Sequence, residues 1–166
     1  MNDRGRRTRE RRLKTQSSKL KTRKSVEVAA GLIFHGGRLL ITRRPAGGHL
    51  AGLWEFPGGK REPGETWSRC LVRELREELG IEVKVGRCVE RVTHAYPGKT
   101  VVLQFYRCQW LRHEPRALGC PVFKWVDAAG LARHRFPAAD AGLVARLQQS
   151  PRWWQKPRNT PKMRLG

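Results

Sequence analysis

Glu74, Glu77 and Glu78 stand at i, i+3 and i+4 within Cys70-Leu71-Val72-Arg73-Glu74-Leu75-Arg76-Glu77-Glu78-Leu79. On a helix, that spacing sends all three carboxylates out on one side, next to the stripe Leu71, Leu75, Leu79. Three like charges so close together cost stability unless a cation joins them. Ligands that offer only oxygen suit a hard cation, and Mg²⁺ is the one ordinarily held by a few carboxylates plus substrate phosphates, with Mn²⁺ the alternative. Taken alone, the trio fits a solvated acidic face neutralised by Arg73 and Arg76 better than a metal site. Upstream, Gly58-Gly59 lets the backbone turn tightly and approach a metal or phosphate without Cβ interference.

Several elements must position these groups. Val26 to Phe34 reads as a strand, Gly36-Gly37 as a hairpin turn, and Arg38 to Arg43 as the returning strand. A Gly-rich loop, Pro45 to Leu53, leads into Trp54-Glu55-Phe56, and Pro57-Gly58-Gly59 breaks the chain. The acidic helix is predicted from Thr66, its cap, to Leu79, with Gly80 as its stop. Two β-rich runs follow, Glu82–Thr93 and Thr100–Trp110, joined around Tyr96-Pro97-Gly98. Val122–Val126 is a shorter strand, Asp127 caps a short helical turn, and a last helix is predicted over Ala138–Gln149, ended by Pro151. Strands around one central helix predict a mixed α/β sandwich in one domain.

The chain has 166 residues, 39% of them hydrophobic, and a formal charge of +21. Residues 1–25 hold eleven Lys/Arg against Asp3 and Glu10, and residues 151–166 hold five against no acid. We therefore expect a basic disordered tail over 1–25, a catalytic domain over 26–150, and a basic, Trp-containing tail over 151–166. The moderately basic middle suits steering of a polyphosphate. Cys70, Cys88, Cys108 and Cys120 form no metal-binding spacing and read as free thiols. No apolar run is long enough for a membrane span and no signal-peptide h-region is present, so the cytoplasm, a monomer and no membrane partner are expected.

Gly59, Glu65, Arg73, Glu74, Glu77, Glu78 and Gly80, with aliphatic Leu75 and Ile81, resemble the Nudix box G-x5-E-x7-R-E-U-x-E-E-x-G-U without a departure. The resemblance implies a Nudix-type mixed-sheet α/β/α sandwich and a divalent-cation-dependent hydrolase of nucleotide phosphoanhydrides. It implies metal ligands at Glu74, Glu77, Glu78 and the Gly58 carbonyl. Arg73 would hold the glutamates and Glu65 would brace the loop. The general base is left open among the glutamates, with Glu74 preferred.

The segment from Leu40-Ile41-Thr42-Arg43-Arg44 through His49 to Trp54-Glu55-Phe56-Pro57-Gly58-Gly59-Lys60 resembles the MutT branch of 8-oxo-dGTP diphosphatases, as does Phe136-Pro137-Ala138-Ala139-Asp140. That resemblance implies hydrolysis of a nucleoside triphosphate to monophosphate and pyrophosphate, with 8-oxo-dGTP the expected substrate. It implies Arg44, His49, Phe56 and Asp140 at the nucleotide; Phe56 also reads as plain core, and His49 and His94 as loop or packing residues. Two departures stand out. Asp140 replaces the branch's base-reading Asn, and an ionised Asp only accepts hydrogen bonds. Leu118-Gly119-Cys120 carries no glutamate where relatives often have a further metal ligand. CTP-type or ADP-ribose hydrolysis is the alternative, the latter from the placement of Pro97, which reads equally as a turn. A damage-recognition domain like that of adenine DNA glycosylases is disfavoured by the complete glutamate set. A different class is nucleic-acid binding by the basic ends with the Nudix domain as accessory, in which Trp153-Trp154 either stack on bases or pack onto the domain.

Overall fold

Alternation along the first apolar run sets the layers. In the computed structural model, which describes residues 24–48 and 50–155, strand β1 (Lys24–His35) turns Ala29 and Ile33 to one side and Ala30, Leu32 and Phe34 to the other. Gly36 and Gly37 take φ of 57° and 78°, as a two-residue hairpin loop with the right twist requires, and β2 (Arg38–Arg43) returns antiparallel with Phe34 opposite Leu39. β3 (Trp54–Glu55) extends β2 on its outer side, and β4 (Gly58–Lys60) pairs with β1 at Val28–Ala30. β5 (Glu82–Tyr96) and β6 (Lys99–Arg112) form one long hairpin, and β6 runs parallel to β1 from Lys24↔Lys99 to Ile33↔Cys108. β7 (Phe123–Val126) pairs with β2. The main path of the mixed sheet is β3-β2-β1-β6-β5.

Helix α1 (Trp67–Leu79) buries Cys70, Leu71, Leu75 and Leu79 on the Ala29/Ile33 face; α2 (Ala128–Ala132) and α3 (Ala141–Gln149) bury Leu131, Leu143 and Leu147 on the other. This is the α/β/α sandwich, in a single domain. Each fully buried leucine is worth about 1.5–3 kcal/mol of transfer free energy, enough for the Leu71/Leu75/Leu79 stripe to hold the acidic face of α1 outward.

Some boundaries differ from the sequence reading. β5 and β6 continue to Tyr96 and Lys99, because Pro97-Gly98 alone makes the turn, with Gly98 at φ 79°. The last helix is divided: Ala138–Asp140 is a 3₁₀ turn closed by Asp140 N–H on Pro137 O at 3.0 Å, and α3 starts at Ala141. β1 starts at Lys24, inside the segment assigned to the N-terminal tail, because its ladder to β6 reaches Lys99.

Packing likewise runs past 150. Pro151–Trp153 form a further 3₁₀ turn, and Trp153, 4% exposed, stacks on Phe34 with ring centroids 6.1 Å apart. Trp154 meets Phe34 edge-on and donates its indole N–H to Leu147 O at 2.8 Å. The two tryptophans therefore pack onto the domain, and the buried face of Trp153 is not offered to a base. Residues 1–23, 156–166 and His49 lie outside the described residues.

Trp153→Ala should lower the unfolding free energy by about 3–5 kcal/mol, as loss of a buried aromatic ring does. Urea denaturation checks this; a cost under about 0.5 kcal/mol, usual for a surface site, would show that the ring is not part of the core.

Candidate active site

Two glycines let the loop meet the helix. Gly58 adopts φ 148°, and a Cβ there would sit 2.1 Å from Ala29 O. A Cβ on Gly59 would lie 2.2 Å from the Glu74 carboxyl carbon. Only glycine lets Glu74 rest against this backbone. Beneath the loop, α1 is capped as its sequence predicts: Thr66 accepts from Arg69 N–H at 3.2 Å, and Gly80 at φ 68° donates to Arg76 O at 2.9 Å. The Leu118 and Gly119 amides both donate to Glu78 O at 3.0 Å, which brings that loop against the end of the helix. Gly119, in the stretch that lacks the relatives' glutamate, lines the cleft beside Glu78.

Arg73 ties the acidic groups together. It grips Glu65 with two parallel hydrogen bonds of 3.0 Å, and reaches Glu74 at 2.9 Å, Glu77 at 3.3 Å and Lys60 O at 3.1 Å. The guanidinium holds the Glu65 carboxyl down at about 2. Glu65 also accepts the Glu62 amide at 3.1 Å. Glu65 and Arg73 thus brace the loop and the helix and do not line the cleft themselves.

One cleft, about 440 Å³, is lined by Gly58, Gly59, Glu74, Glu77 and Glu78 from the glycine loop and α1, together with Arg44, Phe56, Tyr96, Pro137, Ala139 and Asp140. Glu78 accepts from Gly58 N–H at 3.2 Å. Phe56 is 4% exposed and lies against Phe105 and Phe136 at 5.8 and 5.2 Å, so it serves the core and forms a wall of the cleft at once. Arg44 forms an ion pair with Glu55 inside the cleft.

Glu55, Tyr96 and Lys99 belong to this cleft and were not among the site residues read from sequence. The Arg-x10-Glu spacing of Arg44 and Glu55 carries no periodic signal, because a loop separates them and only the β2–β3 pairing brings their strands together. Tyr96 and Lys99 flank the turn that hid them; Lys99 Nζ lies 5.8 Å from the Tyr96 ring.

Burial shapes the charges. Desolvation, and then the Glu55 carboxylate, push Glu78 up to about 7, against the pull of the Gly58 amide. Burial and Glu55 likewise raise Asp140 to about 7, with Arg44 opposing. Among the described residues, no three metal-ligating side chains converge as a ready-made cage; Arg73 draws Glu74 and Glu77 while Glu78 turns to Gly58. The donors are nonetheless all oxygen, and a buried carboxylate with a raised pKa is what a cation beside it would relieve. A divalent ion completed by water and substrate phosphates fits this set.

Residues 29–146 match the family described as NUDIX domain. The chain belongs to the Nudix family. It is 34% identical over 127 residues to the 8-oxo-dGTP diphosphatase of Escherichia coli K12, covering 76% of this chain and 98% of that protein. It is 49% identical over 80 residues to the CTP pyrophosphohydrolase of the same organism, covering 48% of this chain and 59% of that one. The solution structure of the E. coli ORF135 protein superposes with a TM-score of 0.64 at 35% identity, over 76% of this chain and 90% of that one. This Nudix domain is thus a MutT-branch hydrolase by family and fold, and divalent-cation dependence goes with that chemistry. Its thiols are free, three buried and Cys88 exposed, and no described helix is long and apolar enough to cross a membrane.

The raised acids fix a pH dependence. In the folded state Glu78 and Asp140 titrate above their ordinary values of 4.5 and 3.8, so they favour folding at low pH, and that contribution is lost as pH rises towards 7. The melting temperature of the metal-free enzyme should fall between about pH 5 and about pH 8, and Glu78→Gln should flatten the fall. Scanning calorimetry across that range checks it; an unchanged slope in the variant would refute the assignment.

Proposed function

We infer that this chain hydrolyses nucleoside triphosphates to the monophosphate and pyrophosphate with Mg²⁺, Mn²⁺ substituting, and that 8-oxo-dGTP is its preferred substrate. The single observation that carries this reading is one cleft of nucleotide size lined both by a carboxylate set under a glycine loop and by aromatic and carboxylic groups. Glu74, Glu77, Glu78 and the Gly58 carbonyl would hold the metal. Bound there, the ion would neutralise charge on the phosphate oxygens and lower the pKa of water.

In the hydrolysis the oxygen of water bonds to one phosphorus of the α–β phosphoanhydride as the bridging P–O bond to it breaks. The water's protons leave to a base and the departing phosphate, giving monophosphate and pyrophosphate. Arg73 occupies Glu74 Oε1, leaving Oε2 against Gly59 as the oxygen to take the water's proton. Arg44, held by Glu55, meets the nucleotide, and Phe56 walls the base site. Asp140, whose proton is retained up to about 7, offers an O–H donor beside a carbonyl acceptor, as an Asn would offer N–H and C=O. That departs from the acceptor-only behaviour expected of an ionised Asp and suits the mixed donor–acceptor edge of guanine. His49 remains a proposed contact on the loop. We assign the protein to the cytoplasm as a monomer, with nonspecific nucleic-acid affinity of the basic ends as an addition to catalysis.

CTP is the second reading, favoured by the 49% identity over 80 residues and by an Asp140 edge that cytosine can also satisfy. Pro97 lies in the β5–β6 turn, which supports reading it as a turn residue over the ADP-ribose alternative.

A panel of 8-oxo-dGTP, dGTP, CTP and ADP-ribose with Mg²⁺, followed by pyrophosphate and phosphate release, tests the substrate. The highest kcat/KM is expected for 8-oxo-dGTP; best hydrolysis of ADP-ribose would overturn the reading.

On the best substrate, Glu78→Gln should lower kcat at least ~10²-fold, the scale of losing a preorganised electrostatic group. Wild-type turnover in that variant at saturating Mg²⁺ would remove Glu78 from the machinery.

A further inference from the structure

The four middle residues of β2, Leu39, Leu40, Ile41 and Thr42, are all 0% exposed. Three are aliphatic. Thr42 is the exception, and its hydroxyl has no hydrogen-bond partner among the described residues. Burying a hydroxyl unpaired is unfavourable, and Val would fill nearly the same volume without that penalty. The large majority of buried side-chain polar atoms are paired, so one left over calls for a reason. The other such atom here, Trp153 Nε1, belongs to the opposite layer of the sandwich.

The strand pattern says where Thr42 points. Leu40 packs in the α1 layer and Leu39 and Ile41 in the other, so alternation sends Thr42 towards α1. In the ladders Thr42 stands opposite Glu55 of β3 on one side and Phe123 of β7 on the other. Residues directly opposite share a face of the sheet, so the Glu55 carboxyl, which lines the cleft, is on the same side as the Thr42 hydroxyl. Glu55 is already held by Arg44. Glu78, on α1, is held more loosely: its Oε2 accepts the Gly58 amide at 3.2 Å, the long end of the N–H···O range. Burial and then the Glu55 carboxylate disfavour the charge of Glu78; the Gly58 amide and next the Thr42 hydroxyl favour it.

A hydrogen bond from a hydroxyl to a carboxylate is charge-assisted, and roughly twice as strong as one between neutral groups. We propose that Thr42 is a positioning residue for Glu78: its hydroxyl donates to the ionised carboxylate and fixes the direction in which Glu78 meets a divalent cation. The inference rests on the metal role given to Glu78 above. Thr42 does not line the cleft, so it acts only through Glu78. The carboxylate is then steadied from two elements, by the loop backbone at Gly58 and by β2 at Thr42.

The competing reading is that Thr42 is ordinary core, chosen for its shape. The two readings differ over which part of the side chain matters. If shape decides, Val is the better residue and Ser the worse, for stability and metal binding alike. If the hydroxyl positions Glu78, the two orders cross: Val gains stability and loses metal affinity, whereas Ser loses stability by leaving a void and keeps the donor.

The test is an electron paramagnetic resonance titration of the full-length, substrate-free chain with Mn²⁺, for the native protein, Thr42→Val, Thr42→Ser and Glu78→Gln. Thr42→Val should weaken Mn²⁺ binding ~10–100-fold, the scale of losing a hydrogen-bond partner of a metal-ligating carboxylate. Thr42→Ser should recover most of that affinity. Calorimetry of the metal-free proteins should show the opposite order, with Thr42→Val melting about 2–4 °C above the native chain and Thr42→Ser below it. Native affinity in Thr42→Val, or an equal loss in Thr42→Ser, would overturn the inference while Glu78→Gln, still losing binding, keeps Glu78 as a ligand. A Thr42→Val protein that melts below the native one would show the hydroxyl to be paired already, and would overturn it too. Mn²⁺ binding unchanged in Glu78→Gln would instead remove the metal role of Glu78, and the inference with it.

Discussion

The guanidinium of Arg73 joins parts of the molecule that would otherwise separate. Glu65 comes from the loop, Glu74 and Glu77 from the helix, and Lys60 O from the edge strand, and all four meet on this one group. Like-charged side chains crowded at one end of a helix push apart. A planar, permanently charged group with several fixed donors holds them at hydrogen-bond distance without blocking the oxygens that face the cleft. The tight backbone at Gly58-Gly59 completes the arrangement from the other side, since any Cβ at Gly59 would strike the Glu74 carboxyl.

The sandwich supplies the stability that such a cleft spends. Glu55, Glu78 and Asp140 are carboxyl groups taken largely out of water, and two of them titrate near neutrality as a result. A folded state that holds mutually repelling acids in low dielectric must be stabilised elsewhere. The two apolar layers do this, one under α1 and one shared by α2, α3 and the Phe34–Trp153 stack. The cleft also serves as core in part: Phe56 is at once a packed residue and a wall of the cleft.

The charge of the domain follows from this division. Five carboxyl groups are gathered at the cleft, where a cation and a substrate would meet them, while Arg107 rests on the rings of Phe34 and Trp153 in the other layer. A chain of formal charge +21 therefore carries an acid-lined cleft.

How much of this could be read from the residues alone depends on the range of the forces involved. Helix α1, its Thr66 and Gly80 caps, the Gly36-Gly37 hairpin and the Asp127 cap are local, set by propensities and hydrogen bonds within a few positions, and they stand in the structure as the sequence predicts. The glutamate spacing and its arginine are local too, so the carboxylate set of the cleft was legible. Tertiary structure alone decided the rest. Glu55 enters the site because β3 pairs with β2, Tyr96 and Lys99 because a hairpin extends further than its composition signals, and Trp153 joins the core because Phe34 is there to receive it. The proton affinity of Asp140 is the clearest case. Its residue type predicts an ionised acceptor, and only burial beside Glu55 makes it a carboxyl that can also donate, because desolvation is a property of the surroundings and not of the side chain.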